Sequence, residues 1–421
     1  MKIAFFHQPL NGISLPDQDS SVEVLTYEIA RGLARHCDVI VYAKRVPHQK
    51  EFEYDHGVQY RRMSATVDEK FDYIFRGVDR RLPRSLARRP LFASSLYYLK
   101  YAMGVAKDLR SQKCDVVHIQ NFSQFAPIIR ESNPKIKIVL NMHCEWLTQL
   151  DQAMIERRLR EIDLVIGCSE YITEKTRRRF PHFAERCQTV FNGVDVNHFV
   201  SKNPHSAPKK NGIKQLLFVS RVSPEKGVHV LLDAFQKVME HYPQAQLKIV
   251  GGHGSLPIQF DAALSDDPKV SELASFCDGN YFSHLQSKLS ADMASHVSFT
   301  GSIPHRQLVS FYQDADVLIL PTVYGEVFGM PIIEAMAMEV PVVATRCGGI
   351  PEIVVDGETG LLVERGDSTA LAQAILRLLS DEDLRKSMGK AARKRAVELF
   401  AWEKIAANLL NYYKKICEGR D

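Results

Sequence analysis

The chain has 421 residues, of which 45% are hydrophobic and 25% are charged. This is ordinary globular usage over a length that suits two or three domains, so a disordered chain and a fibrous repeat are excluded. No apolar run approaches the ~18–20 residues that span a bilayer. Residues 1–200 hold 30 basic against 24 acidic side chains, and the net charge of the whole chain is +4. The mild positive charge of the first half favours an anionic partner or a membrane surface, and it is too small to indicate binding of nucleic acid.

The start of the chain and its cysteines bear on its compartment. The apolar run Ile3–Phe6 is broken at once by His7 and Gln8, which argues against a secretory signal. We therefore expect a cytoplasmic protein, and the basic first half leaves peripheral contact with the inner membrane face open. The eight cysteines include no C-x-x-C pair, so neither a zinc site nor a disulfide framework is indicated.

Short β-branched runs alternate with amphipathic stretches through the first half of the chain. This alternation predicts βαβ units and a parallel sheet. The predicted helices include Val22–Arg35 and Asp151–Glu161. The predicted strands are Lys2–His7, Asp38–Ala43, Asp115–Gln120, Lys137–Met142 and Leu164–Ser169.

The same rhythm restarts after residue 214 and predicts a second parallel sheet. A run at Asp356–Gly360 is interpreted as a hairpin-like turn and nothing more. The predicted helices are Val228–His241, Pro331–Met338 and Ser368–Leu379. The predicted strands are Leu216–Ser220, Leu247–Gly251, Val297–Gly301, Val317–Pro321 and Val340–Thr345.

The segment Ser201–Lys214 is polar, contains two prolines and lacks periodicity, as a linker does. We therefore predict an α/β protein with two Rossmann-like domains, over residues 1–200 and 215–400, whose parallel sheets face each other across a cleft. A last helix within residues 401–421, at Trp402–Cys417, is expected to pack back on the first domain. The irregular stretch Leu256–Asn280 is expected to be a surface insertion.

The loop after the first strand of the second half carries two cations. In open parallel sheets, ligands bind beyond the carboxyl ends of the strands, so these loops are the places where a site is expected. Arg221 and Lys226 supply a guanidinium fork and a point charge, which suit a diphosphate, and Gly227 lets the backbone come close. A pair of solvated surface cations is an equally good explanation of this loop alone.

The next strand ends in Gly251 and Gly252, which permit close approach of a ligand or simply make a turn. The run is not a clean G-x-G-x-x-G, because Pro257 stands in place of the last glycine. The first strand of the chain also lacks that fingerprint. Both observations weaken a nicotinamide or flavin dehydrogenase reading.

Two carboxylates flank the start of a predicted helix in the second half. Glu326 lies in the loop after a strand, and Glu334 lies about one turn into the following helix. The amides near Phe328, Gly329 and Met330 form a helix N-terminus, which attracts phosphate. An acid on such a helix can accept both ribose hydroxyls, and the loop acid can hold sugar hydroxyls. Favourable acidic charge at a helix start explains one glutamate but not the whole arrangement.

Together these residues resemble the retaining nucleotide-sugar glycosyltransferases of family four, which have the GT-B fold. The resemblance runs through residues 215–365 and, more faintly, through the first half. It is carried by Arg221…Lys226-Gly227, Glu326-x₇-Glu334 with Phe328-Gly329, Gly348-Gly349-Ile350-Pro351-Glu352, and the domain connector Asn192-Gly193-Val194-Asp195.

The resemblance implies a role for each matching position. Arg221 and Lys226 would bind the diphosphate of the donor and neutralise its charge as it leaves, and Glu334 would hold the ribose. His143 matches a histidine that faces the donor sugar across the cleft; without the resemblance it would be a structural histidine. The implied catalytic residues are His143, Arg221, Lys226 and Glu326. The implied donor-binding positions are Gly251, Gly252, Ile303 (through its main chain, at the base), Val327, Phe328, Gly329, Met330 and Glu334.

The chain departs from the family pattern at two places. Ser20 and Ser21 stand where the family carries paired glycines in its acceptor-side loop, so the acceptor side is not fixed by the resemblance. Val327 occupies a place often taken by Gly or Pro, so the donor sugar is not implied either.

The reaction implied is transfer of a sugar from a nucleotide-diphosphate sugar, with retention, to a hydroxyl of a glycan, a lipid or a small molecule. The nucleotide sugar is a substrate, no cofactor is implied, and no metal is needed if Arg221 and Lys226 neutralise the leaving group. A nucleotide-sugar epimerase or hydrolase on the same fold and an inactive sugar-nucleotide-binding subunit are the alternatives. The presence of both acids and both cations argues against the inactive subunit.

One basic segment is not explained by the resemblance. Residues Arg76–Arg89 carry six arginines and one acid, and an apolar helical pattern, Leu91–Met103, follows them. Such a segment suits anionic lipid headgroups or an anionic acceptor. A solvated basic surface explains it as well.

Overall fold

The structure, a computed structural model, shows two compact units. Unit 1 comprises Met1–Asn192 and Trp402–Asp421, and unit 2 comprises Gly193–Ala401. The predicted linker and the predicted insertion lie largely outside the described residues. The structure describes residues 1–15, 18, 20–79, 88–201, 213–253, 265, 267–276 and 281–419.

The described strands of unit 1 form an eight-stranded sheet in the order β3-β4-β2-β1-β5-β6-β7-β8. Every pair is parallel except β3 with β4, which is antiparallel at one edge. All residues of the central strand β5 are buried, as expected for a parallel sheet covered on both faces. The strands are β1 (Lys2–Phe6), β2 (Asp38–Lys44), β3 (Phe52–Asp55), β4 (Val58–Met63), β5 (Val116–Gln120), β6 (Lys137–Met142), β7 (Leu164–Gly167) and β8 (Cys187–Thr189).

Helices connect these strands, and one returns from the end of the chain. The helices of unit 1 are α1 (Ser21–Leu33), α2 (Thr66–Asp79), α3 (Leu99–Gln112), α4 (Phe125–Ser132), α5 (Trp146–Gln149), α6 (Gln152–Leu159), α7 (Glu170–Arg179) and α17 (Trp402–Glu418). The α17 helix packs on α1, where a Cβ added at Gly32 would lie 2.8 Å from the Cβ of Ala406. The helix is also tied to β5, because the ring Nδ1 of His118 lies 2.6 Å from the hydroxyl of Tyr413.

The helix predicted over 91–103 is wrong in position. The structure has a short 3₁₀ turn at Leu91–Ala93, and α3 begins only at Leu99. Tyr98 adopts a left-handed backbone with φ of 54°, which an α-helix cannot continue through. The apolar residues of this stretch are instead shared between the turn and the first turn of α3.

Unit 2 contains a six-stranded parallel sheet in the order β11-β10-β9-β12-β13-β14 among its described residues. The strand order reverses between β9 and β12, because the chain goes from β9 to one side and returns to place β12 on the other. The strands are β9 (Gln215–Val219), β10 (Gln246–Val250), β11 (Val297–Gly301), β12 (Val317–Leu320), β13 (Val342–Thr345) and β14 (Gly360–Val363).

The helices of unit 2 follow these strands. They are α8 (Val228–Met239), α9 (Pro268–Glu272), α10 (Tyr281–Lys288), α11 (Ala291–Ala294), α12 (Leu308–Asp314), α13 (Met330–Ala337), α14 (Ile350–Ile353), α15 (Ser368–Ser380) and α16 (Glu382–Leu399). The turn at Asp356–Gly360 is not part of a hairpin, because the strand that it opens, β14, runs parallel to β13. The described part of the predicted insertion is not all irregular, since it contains α9.

Candidate active site

The two loops that carry the predicted cations and the first predicted glutamate are neighbours in unit 2. Strands β9 and β12 pair directly and run parallel, so the loops after them both emerge at the carboxyl ends of the strands. The strand order reverses between these two strands, and open α/β sheets bind ligands at such a reversal. Gly227 brings the loops together: its φ is 71°, and a Cβ there would lie 2.0 Å from the carbonyl oxygen of Pro321.

Lys226 and Glu326 form an ion pair across these loops. The Nζ of Lys226 donates to Oε2 of Glu326 at 2.5 Å, and the two side chains are only 14% and 11% exposed. A lysine paired in this way is neutralised until another anion replaces the carboxylate. The site therefore contains an internal counter-ion for Lys226.

Arg221 is more exposed and is held by its own loop. Its Nη2 donates to Oε1 of Glu225 at 3.3 Å, and the hydroxyl of Ser223 donates to the same oxygen at 2.5 Å. Glu225 is buried, while the Arg221 side chain is 43% exposed. The loop thus anchors the guanidinium on one side and leaves much of it open to solvent.

The backbone of Glu326 is fixed from the loop after β13. Gly348 has φ of 56°, and a Cβ there would lie 1.9 Å from the carbonyl oxygen of Glu326. The amide of Gly349 donates to that same carbonyl at 2.8 Å. This contact gives Gly348 a structural reason, because only a residue without a side chain fits so close to the Glu326 loop.

Glu334 is buried on α13 and held at both oxygens. Its Oε1 lies 2.8 Å from Nε2 of His305, and its Oε2 accepts from the hydroxyl of Tyr312 at 2.7 Å. The side chain of Glu334 is 4% exposed. Burial, followed by the charge of Glu334, raises the pKa of Tyr312 well above its ordinary value, so this phenol stays a donor. Sequence reasoning missed Tyr312 and His305 entirely.

The start of α13 has the expected helix-terminus geometry. Gly329 caps the helix with φ of 105°, and Met330 is its first residue. The ring of Phe328 is buried and packs edge-on against Phe400 at 6.0 Å. Only the main chain of Phe328 can therefore face a ligand, while Val327 is half-buried beside it.

Three further donor-binding predictions fall in the loops after β10 and β11. A Cβ at Gly251 would lie 1.8 Å from the carbonyl oxygen of Ser220, and one at Gly252 would lie 2.5 Å from Oγ of Ser302. These glycines are explained by close packing of the protein's own loops. Ile303 is half-buried two residues after β11. Contact of these positions with a donor stays a prediction.

His143 lies in unit 1, just after β6. Its Nε2 lies 2.8 Å from Oε1 of Gln120, its main-chain amide donates to the side chain of Asn121 at 2.7 Å, and its Nδ1 is buried without a partner. Burial lowers the pKa of His143 to about 4, so its imidazole is neutral at physiological pH. The donor contact implied by the resemblance stays a prediction.

The acceptor-side serines have a helix-starting role in the structure. Ser20 is the N-cap of α1: its hydroxyl accepts from the amide of Glu23 at 3.4 Å and donates to the Glu23 carboxylate at 3.1 Å. The first of these bonds is the one that the N-cap residue makes in a capping box. Ser21 is the exposed first residue of the helix. A role of either serine toward an acceptor stays a prediction.

The basic segment Arg76–Arg89 lies mostly outside the described residues. Of its arginines, Arg89 donates to Asp151 at 3.0 Å in an exposed ion pair. Within the part of the chain that the structure describes, no helix is both long and apolar enough to cross a bilayer. Contact with anionic lipid stays a prediction.

Two family models match the chain and together cover most of it. The model described as glycosyl transferases group 1 matches residues 200–395, and the model described as Glycosyltransferase Family 4 matches residues 22–198. A D-inositol 3-phosphate glycosyltransferase of Corynebacterium urealyticum is 33% identical over 240 residues, which are 55% of this chain and 51% of that relative.

Solved structures share the fold over nearly the whole chain. Sucrose-phosphate synthase of Thermosynechococcus elongatus matches with a TM-score of 0.73 and 22% identity over 99% of this chain and 98% of its own. HepE of Anabaena, solved in complex with UDP and glucose, matches with a TM-score of 0.67 and 19% identity over 98% and 99%. With two parallel-sheet α/β units and both family models, the chain belongs to the glycosyltransferases of the family-four type with the GT-B fold.

Proposed function

We propose that this glycosyltransferase moves a sugar from a nucleoside-diphosphate sugar to an acceptor hydroxyl, with retention at the anomeric carbon. The observation that carries the proposal is the position of Arg221 and Lys226 at the strand-order reversal of unit 2, with Glu334 on the helix after the neighbouring strand. Two cations suit a diphosphate, and a buried carboxylate suits a ribose.

Arg221 and Lys226 would act on the leaving group. The diphosphate gains negative charge as the bond to the sugar breaks, and fixed cations stabilise that charge in the transition state. Lys226 reaches this role by exchanging Glu326 for a phosphate oxygen, because the two side chains are paired without a ligand. Glu326, once released, is placed to accept hydrogen bonds from the sugar.

The donor class is also supported by relatives. HepE was solved with UDP and glucose, which makes a uridine nucleotide the first donor to test on this chain. The D-inositol 3-phosphate glycosyltransferases act, by their name, on a phosphorylated cyclitol, and the mildly basic first half is consistent with an anionic acceptor here. Retention and independence from metal follow from the family resemblance and are part of the proposal.

The test is single-turnover transfer from a panel of nucleoside-diphosphate sugars, with the anomeric configuration of the product assigned by NMR. Lys226→Ala and Arg221→Ala are each expected to lower turnover by roughly 10²–10³-fold, the scale of losing one transition-state donor. Lys288→Ala is the matched control, because Lys288 is also ion-paired, at 2.6 Å to Asp233, on the outer helix α10. Wild-type turnover in both site variants, or an inverted product, would contradict the proposal.

A further inference from the structure

Two side chains that no motif pointed to hold the Glu334 carboxylate from both sides. Tyr312 lies on α12 and is fully buried, and His305 lies in the 3₁₀ turn just before that helix. Each contacts a different oxygen of Glu334, at 2.7 Å and 2.8 Å. The plane of the carboxylate is therefore set by the fold before any ligand arrives.

The direction of these hydrogen bonds follows from the chemistry of the groups. A carboxylate only accepts, so Tyr312 donates its O–H, and His305 carries a proton on Nε2. Each carboxylate oxygen has two lone-pair directions, and each gives one to its protein partner. One acceptor direction is left on each oxygen, and a vicinal diol can fill the two with two donated hydrogen bonds.

The two donors are themselves fixed by packing. The buried ring of Phe199 lies 5.3 Å from the ring of His305 and 5.9 Å from that of Tyr312. The carbonyl of Phe199 accepts from Arg393 at 3.0 Å, which anchors this residue to α16. The arrangement therefore has little freedom to rotate, and it presents Glu334 in a single orientation.

We propose that Tyr312, together with His305, is a positioning residue that gives the nucleotide site its selectivity for ribose. This inference rests on the proposed function, because it takes the ligand of unit 2 to be a nucleoside diphosphate. Without the Tyr312 hydroxyl, Glu334 still accepts hydrogen bonds, but its carboxylate can turn, so the two ribose hydroxyls no longer meet both oxygens at once. The loss of binding affinity in a variant without the Tyr312 hydroxyl therefore depends on whether the ligand carries the ribose hydroxyls.

The experiment compares binding of a nucleoside diphosphate with binding of its 2′,3′-dideoxy counterpart by calorimetry. The pair used is the one, among ADP, GDP and UDP, that the wild type binds most tightly. Tyr312→Phe is expected to weaken binding of the ribose form about tenfold, the scale of one hydrogen bond to a charged group, and to leave the dideoxy form nearly unchanged. Glu334→Ala is expected to abolish the preference for ribose.

Tyr42→Phe is the matched control. Tyr42 is also fully buried, and its hydroxyl donates to a carboxylate, that of Asp108, at the same 2.7 Å, but it lies in unit 1. This variant is expected to bind both nucleotides as the wild type does. Melting temperatures of the two phenylalanine variants separate a loss of stability from a loss of selectivity.

The outcomes distinguish failure of the positioning role of Tyr312 from failure of the proposed nucleotide site. If Glu334→Ala removes the ribose preference while Tyr312→Phe binds both forms as the wild type does, or loses both equally, the positioning role is wrong and the proposed function stands. If Glu334→Ala keeps the full preference, or if none of the three nucleotides binds the wild type, the nucleotide site itself is wrong.

Discussion

At the scale of single residues, the ion pair between Lys226 and Glu326 bears most directly on how a ligand could bind. Both side chains are mostly buried, so removing one partner leaves the other with an unbalanced charge. A diphosphate can supply the missing charge to the lysine, whereas a sugar offers the glutamate only hydrogen bonds. Under the proposed function, Glu326 and the donor phosphate therefore compete for Lys226 in the ground state.

Glu326→Gln is predicted to tighten binding of a nucleoside diphosphate that carries no sugar, by about fivefold, because Lys226 no longer has to release a carboxylate. The same variant is predicted to lower sugar transfer, because the contact of Glu326 with the sugar is weakened. Calorimetry with the diphosphate and single-turnover transfer measure the two effects. Weaker binding of the diphosphate would show that Glu326 supports the nucleotide and does not compete with it.

The site residues differ in how far sequence could predict them. Arg221, Lys226, Glu326 and Glu334 follow strands in recognisable spacing, so they could be named before the fold was known. Tyr312 lies 22 residues from Glu334 and on a different helix, and only the fold brings its hydroxyl to the carboxylate. His305 and Gln120 were missed for the same reason. A polar residue within an otherwise ordinary helix or strand carries no signal of its partner.

Among the elements, the pairing of α17 with α1 closes unit 1 with the last residues of the chain. Trp402, Ile405, Ala406, Leu409, Leu410 and Tyr413 are buried on one face of α17. Gly32 allows the approach, because a methyl group there would come within 2.8 Å of the Cβ of Ala406. Gly104 on α3 is a contrasting helical glycine, since the nearest atom to an added Cβ is Sδ of Met63, at 3.5 Å.

Gly32→Ala is predicted to lower the free energy of unfolding of unit 1 by about 1–3 kcal/mol, because the two helices must move apart. Gly104→Ala is its control and is predicted to be neutral or stabilising by up to about 1 kcal/mol, because alanine favours the helix and fits the space. Urea unfolding followed by tryptophan fluorescence reports on unit 1, since both tryptophans, Trp146 and Trp402, lie in it. Equal stability of the two variants would contradict close packing of α17 on α1.

The strands and helices also show where the pattern of apolar residues predicts an element correctly and where it does not. Buried strands such as β1, β5 and β6 were found because most of their residues are apolar. The edge strand β3 and its neighbour β4 were missed, because β3 alternates exposed and half-buried residues and β4 alternates buried and half-buried ones. The start of α3 was misplaced because the left-handed conformation of Tyr98 is set by its surroundings and has no signal in the sequence.

For the molecule as a whole, three histidines with lowered pKa values are expected to make stability depend on pH. Burial lowers the pKa of His7 and of His118 to about 3 and that of His143 to about 4, from an ordinary 6.5, and the charge of His143 adds to the effect at His7 and His118. All three lie in unit 1. The folded chain keeps them neutral, while the unfolded chain takes up their protons below about pH 6.5.

Unit 1 is therefore predicted to be most stable above about pH 6.5 and to lose stability as the pH falls toward 4. At pH 5 the loss is up to about 2 kcal/mol per histidine relative to pH 7.5. Urea unfolding followed by tryptophan fluorescence at the two pH values measures it. His118→Asn removes one of the three titrating groups and should reduce the difference between the two pH values. An unfolding free energy that is the same at pH 7.5 and 5 would rule out neutral buried histidines.

We propose that unit 2 binds a nucleoside diphosphate where the strand order reverses, between β9 and β12. The most direct test is a crystal structure of the protein with UDP bound. We expect phosphate oxygens within hydrogen-bond distance of Arg221 and Lys226, the Lys226–Glu326 pair broken, and the ribose hydroxyls on Glu334 opposite Tyr312 and His305. A complex in which UDP lies elsewhere and the Lys226–Glu326 pair is intact would contradict it.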